Sequence, residues 1–145
     1  MKQFSKSILI ALSFFYVSIS HADLVIIVHP SNPLTEISVD DVQKMYLGKK
    51  KTFPDGKKAI PGDQPTGTES RRLFSDRIIG RSEAKLKSYW SRLIFTGKGM
   101  PPEVIGRDVV IKKWVAQQPQ AMGFIMRSEV DDSVKVLNLK LSTSW

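Results

Sequence analysis

Residues 24–29 read Leu, Val, Ile, Ile, Val, His, five apolar side chains in a row of which four are β-branched. β-Branched residues favour extended backbone, and a strand with no polar alternation has no face to give to water. Such a strand needs cover on both sides, the condition of a strand inside an α/β sheet. The remaining chain must supply helices for two faces, and it has one domain's length in which to do so. There are 145 residues, 41% of them hydrophobic, and no cysteine. That apolar content excludes a disordered chain, and the missing thiols exclude disulfide staples and thiolate metal sites.

The first 22 residues stand apart from this domain. Lys2 and Lys6 make a basic start, residues 7–20 are apolar apart from hydroxyls, and Ser20-His21-Ala22 sets small residues at the −3 and −1 positions of a signal peptidase site. Cleavage after Ala22 is expected, leaving residues 23–145 as one domain of 123 residues with 20 basic and 14 acidic side chains. The apolar run falls short of the roughly 20 residues that a membrane-crossing helix needs, and no later stretch is long and apolar enough. The expected location is the periplasm. A chain exported without disulfides relies on an ordinary core, and this length suffices for one.

Pro30, Asn32 and Pro33 end the first strand. Ser38-Val39-Asp40-Asp41 is a capping-box pattern opening a helix with Val39, Val42, Met45 and Tyr46 on one side and Gly48 at its end. A turn at Pro54-Asp55-Gly56 and a short strand at 58–60 follow. The lysines around this turn (49, 50, 51, 57 and 58) read as a solvated face. A second helix is expected near Thr68, with Leu73, Phe74, Ile78 and Ile79 inward and Gly80 after it. Ser82 caps a third, with Leu86, Tyr89, Trp90, Leu93 and Ile94 on a 3.6-residue period. Asp108 is expected to cap a fourth, with Val110, Ile111, Trp114 and Val115 inward. Strands at 121–126 and 134–139 close the chain, separated by an acidic turn at Asp131 and Asp132. The expectation is an α/β layer structure, a small mixed sheet flanked by about four helices. Trp145 reads equally as an exposed end or as a side chain folded back on the sheet.

Little here is suited to catalysis. With His21 in the leader, His29 is the one histidine of the mature chain, and it reads as a half-buried packing or hydrogen-bonding residue. A zinc centre or a Ser-His-acid set would have to be built on that single imidazole, and no Gly-x-Ser-x-Gly elbow accompanies it. No enzyme, metal or cofactor is expected. Nucleic acid is not an expected partner either, because Trp90 and Trp114 lie on apolar helix faces and the chain is exported. The basic balance fits a mild attraction to anionic surfaces.

The sharpest local feature is Gly62-Asp63-Gln64-Pro65-Thr66-Gly67-Thr68-Glu69, a polar loop running into an amphipathic helix. A helix start exposes unpaired amides and the positive end of its dipole, Gly67 permits close approach, and Thr66 and Thr68 add hydroxyls. A small anion fits such a place. An ordinary N-cap by Thr68 fits it too, with no ligand at all. Arg71 and Arg72, one turn in, add charge from the flank or lie exposed.

Residues 25–124 resemble one lobe of the periplasmic phosphate-binding proteins of ABC transporters, in the type II periplasmic binding protein superfamily. Three stretches carry the resemblance: Ile37-Ser38-Val39-Asp40-Asp41 running on to Tyr46-Leu47-Gly48, Thr66-Gly67-Thr68 with the helix after it, and Gln118-Pro119-Gln120-Ala121-Met122-Gly123-Phe124. The stretch Lys87-Ser88-Tyr89-Trp90-Ser91-Arg92-Leu93-Ile94-Phe95-Thr96-Gly97 is similar to short proteins of the same superfamily. The resemblance implies a single lobe of that fold and assigns phosphate-like binding to Thr66, Gly67 and Thr68, with Arg71 nearby. A family arginine that clamps the anion falls at Gly62 here, and the lobe supplying the remaining contacts is missing. Binding by the monomer is accordingly expected to be weak, with a second copy or another envelope protein completing the site. The alternative is a structural or interaction subunit of an envelope assembly that keeps the fold without tight ligand binding.

Overall fold

The computed structural model describes residues 23–141; the expected leader and cleavage site, and Trp145, lie outside the described residues. The elements are β1 (Leu24–Val28), β2 (Glu36–Ser38), α1 (Val39–Tyr46), β3 (Ile60–Asp63), α2 (Glu69–Leu73, continued by a π-helical segment Phe74–Ile79), α3 (Glu83–Phe95), β4 (Glu103–Val104), α4 (Asp108–Gln117), β5 (Ala121–Met126) and β6 (Lys135–Lys140). They form one six-stranded sheet in the order β2-β6-β1-β5-β3-β4. β1 lies at its centre, antiparallel to β5 and β6, while the β2–β6, β3–β5 and β3–β4 pairs are parallel. This is the mixed α/β sheet expected from the sequence.

The unbroken apolar run of β1 is explained by two cores. Ile26 and Val28 point into one, with Val42, Met45, Tyr46, Phe74, Met122 and Phe124. Val25 and Ile27 point into the other, against Ile111, Val115, Ala121 and Ile125. Strand alternation thus sends successive residues to opposite helical layers, α1 and α2 on one side and α4 on the other. Phe74 and Phe124 stack at 3.9 Å, and Tyr46 meets them edge-on at 4.6 and 5.9 Å. This aromatic block lies beneath the loop that leads into α2.

Ser38 caps α1: the Asp41 N–H donates to Ser38 Oγ, which in turn donates to Asp41 Oδ2, both at 3.0 Å. Elsewhere the structure corrects the sequence reading. The strand expected at 58–60 begins at Ile60 and runs to Asp63, and Lys58 makes only an isolated bridge to Thr52. Strands β2 and β4 are too short to leave a pattern. The second helix widens into a π-turn after Leu73, where the Ser75 hydroxyl donates back to the Arg71 carbonyl at 2.9 Å and loosens the regular ladder. In α3 only Leu86 is buried; Ile94, expected inward, is 47% exposed. That helix lies at the periphery, held by Leu86, by the Tyr89 hydroxyl on the Leu47 carbonyl (2.6 Å) and by Trp90 beside Gly48. In α4 the cap position is Arg107, and Asp108 is the first helical residue. Val110 is exposed because α4 packs with its Ile111–Val115 stripe over Gly123, leaving the first turn's outer side uncovered.

Candidate functional site

The loop at 62–69 leaves the end of β3 and enters α2. Its first residue is fixed by packing. Gly62 lies against the Trp114 ring, where an added Cβ would be 2.5 Å from Cζ3, and its carbonyl accepts from the Tyr46 hydroxyl at 2.9 Å. A side chain at Gly62 requires the Trp114 ring to move, so the position of the resembled family's arginine is filled by packing here. Gln64 is buried, its amide NH2 donating to Asp108 Oδ1 (2.7 Å) and the Phe124 carbonyl (2.8 Å). These bonds tie the loop to α4 and to β5.

The sequence-named residues divide into two pairs. Thr66 and Gly67 are exposed, and Gly67 has φ of +89°, a conformation that favours glycine. Thr68 is buried and caps α2. Its hydroxyl donates to the Pro65 carbonyl at 3.0 Å and accepts from the Arg71 N–H at 3.3 Å, so that hydroxyl is already committed. Arg71 is also buried, against the expectation of an exposed flank. Its Nε lies 3.0 Å from Asp63 Oδ1, its Nη1 3.0 Å from Glu83 Oε1, and the Ser75 hydroxyl meets the same guanidinium. Glu83 Oε1, 2.8 Å from the Ser75 hydroxyl, competes with the Arg71 carbonyl for its single proton. Neither carboxylate was legible as a partner, because Asp63 comes from the strand and Glu83 from the next helix. Arg72 is exposed and faces Asp76 at 3.8 Å, as a surface arginine should.

Burial pushes the Asp63 carboxyl up to about 6; Arg71 and the Gln64 N–H pull it down without overcoming that effect, and Glu83 adds to the rise. Arg71 Nε is close to Asp63 without pointing at it, since the atom makes no hydrogen bond. A charge pair without aligned donors recovers only part of what burial costs. Tyr46, buried beneath, has its phenol pushed well up by the same loss of solvent.

Beside the loop is an open groove of about 450 Å³ lined by Thr68, Glu69, Ser70, Arg107, Asp108 and Glu129, with Val109, Val110 and Met126 as apolar walls. Asp108 there accepts from Gln64 and from the Ser70 hydroxyl, both at 2.7 Å. Two of the groove's side-chain donors, the Gln64 amide and the Ser70 hydroxyl, are therefore taken by a carboxylate of the chain itself. His29 is half-buried, its Nδ1 2.7 Å from Ser31 Oγ. Among the described residues no group of acids and histidines is placed to hold a metal ion.

No protein-family model and no curated protein matches the chain. Solved structures do. A protein from Clostridium perfringens assigned as a phosphate ABC transporter substrate-binding protein, solved with phosphate bound, matches at TM-score 0.66 and 20% identity over 81% of this chain and 45% of its own. An ABC-type phosphate transport receptor from Vibrio cholerae matches at 0.65 and 21%, over 81% and 46%. PstS from Borrelia burgdorferi matches at 0.60 and 12%, over 86% and 49%. The chain spans less than half the length of each. The chain is thus a single α/β lobe whose fold is shared with about half of each of these solved structures, at identities of 12–21%.

Proposed function

We propose that this chain is an exported, non-enzymatic binding module in which the Thr66-Gly67-Thr68 turn forms half of a site for a small oxyanion such as phosphate. The observation that carries the reading is the exposed turn at Thr66 and Gly67 at the head of α2. The first amides of a helix have no intrahelical backbone acceptor; here the Arg71 N–H is taken by the Thr68 hydroxyl, which leaves those of Glu69 and Ser70 as donors for a bound anion. The fold adds to this, since one solved likeness holds phosphate. Arg71 supports the site by fixing the loop through Asp63 and Glu83, its charge largely balanced by them. A single lobe leaves the ligand wet, so affinity on the order of millimolar is expected for the chain alone. A second copy or another envelope protein supplies the other half.

One observation favours a second reading, an interaction subunit that has kept the fold alone. The groove beside the turn holds three carboxylates, Glu69, Asp108 and Glu129, against the single cation Arg107, a poor setting for an anion. Titration of inorganic phosphate at constant ionic strength, followed through the amide NMR signals of residues 66–70, separates the two. The first reading requires saturable shifts there, weakened in Thr68→Val because the uncapped helix start holds its amides less firmly. Absence of any saturable shift, with Thr68→Val costing only the roughly 1 kcal/mol of a lost cap, removes the anion site and leaves the interaction subunit.

A further inference from the structure

The outer face of α3 carries cations without acidic partners. Residues 84–102 contain Lys85, Lys87, Arg92 and Lys98 and no acidic residue. Among the described residues none of these four is within ion-pair distance of a carboxylate, and Glu83, at the start of the helix, is turned to Arg71. Arg81, Lys85 and Arg92, with Ser88 and Tyr89, line an open groove of about 610 Å³ in which no carboxylate appears. Arg81 is braced there, its guanidinium 5.0 Å from the centre of the Tyr89 ring.

Helical spacing orders these groups. Lys85, Ser88, Arg92 and Phe95 recur at intervals of three and four residues and so share one face, along which Arg81 falls in line. Phe95, at the end of the stripe, is 92% exposed, the most exposed large apolar side chain among the described residues. Met100, in the loop that follows, is 74% exposed. Ala84, Ser88 and Ser91 are the small residues of this side, so the helix can lie flat on a surface with its long cations reaching outward.

We propose that the outer face of α3 docks the protein on an anionic phospholipid surface, with Arg81, Lys85 and Arg92 on the headgroups and Phe95 inserted at the acyl boundary. The cations are spread over a helix about 20 Å long, which suits a diffuse negative surface better than a compact ligand. An exposed phenylalanine among cations gains by entering the interface and gains nothing in water. The docking face belongs to α3 and not to the loop at 66–68, so it stands or falls independently of phosphate binding.

The sheet and both cores lie within residues 23–141, so the chain from Asp23 onward is the species to test, which also removes the apolar leader as a lipid binder. Vesicles containing 30% phosphatidylglycerol in phosphatidylcholine are floated with the protein. Binding is expected to these vesicles and not to pure phosphatidylcholine, and to be released by high salt. Arg92→Glu should weaken the partition about tenfold and Phe95→Ser about fivefold, with unchanged thermal unfolding since both side chains are exposed. Equal binding to neutral vesicles, no binding to either, or full binding by both variants overturns the proposal. So does release by millimolar inorganic phosphate at matched ionic strength, which would make the groove a small-anion site. Phe95-dependent self-association without vesicles, seen by sedimentation, would equally overturn it and make the face a contact between copies.

Discussion

Arg71 and the outer face of α3 hold positive charge in opposite ways. Arg71 is 8% exposed and meets Asp63, Glu83 and Ser75, each from a different turn or element. Arg81, Lys85 and Arg92 stand in an open groove without a carboxylate. A charge withdrawn from water is tolerable only with partners, and the partners cancel its field outside. A charge left in water costs nothing to keep and projects its field to whatever approaches. The unpaired cations at α3 therefore contribute to the basic surface, together with the lysines of residues 49–58, and Arg71 contributes almost none of it. A single arginine beside a suggestive loop is a poor guide to ligand charge until its neighbours in space are known.

The sharpest way to break this comparison is to remove one charge from each setting. Arg71→Ala strands Asp63 and Glu83 beside each other with no cation, and is expected to cost about 3–5 kcal/mol of unfolding free energy. Arg92→Ala removes an unpaired surface cation and should stay within about 0.5 kcal/mol of the parent. Urea denaturation of the two variants at pH 7 measures both. Similar losses in both would show that the interior cluster is not what holds the loop.

Next in size is the effect of pH on the same cluster. The folded protein keeps the Asp63 proton up to about pH 6, whereas an unfolded chain releases it near 3.8. Between those values the folded state binds more protons, so stability falls as pH rises through the window. The gap corresponds to at most about 3 kcal/mol for this one group. Asp131 does not obscure it, because hydrogen bonds from Ser133 and Lys112 hold that carboxyl at about 2, below the window. Denaturation midpoints taken from pH 4 to 7 should decline in the parent and decline less in Asp63→Asn. Parallel profiles would mean that the buried carboxyl is ionised throughout.

Much of the fold was legible because its signals are local. The apolar run of β1, the Ser38 and Ser82 caps and the stop at Gly80 each follow from a few adjacent residues, and each is present. Asp108 misled for a related reason. It stands at a helix start where a capping acid belongs, yet Gln64 and Ser70 recruit its carboxylate from two other segments. The inward face read for α3 failed at Ile94 because periodicity reports an apolar stripe and says nothing of whether another layer reaches that far. Thr66, Gly67 and Thr68 were recognisable as a helix entrance. That the Thr68 hydroxyl is already spent and Arg71 enclosed depends on contacts with Pro65, Asp63 and Glu83 that no motif encodes.

The smallest of these effects asks why the interior setting is closed. Gly62 carries the same contrast between packed and open ground, since a Cβ there would sit 2.5 Å from Trp114 Cζ3 and 3.0 Å from Ile105 Cγ1. Overpacking of this kind typically costs 1–3 kcal/mol, and because Trp114 is half-buried and can swing outward, about 2 kcal/mol is expected for Gly62→Ala. Ser88→Ala, on the open face of α3, should change stability by less than about 0.5 kcal/mol. The cause is tested by shortening the opposing ring. In a Trp114→Leu background the penalty of Gly62→Ala should shrink, giving a coupling of about 1 kcal/mol between the two positions. An unchanged penalty would mean that the backbone at Gly62, and not the indole above it, resists a side chain. If the coupling is found, placing an arginine at Gly62 would expel Trp114 from the second core before it could reach any anion at Thr66.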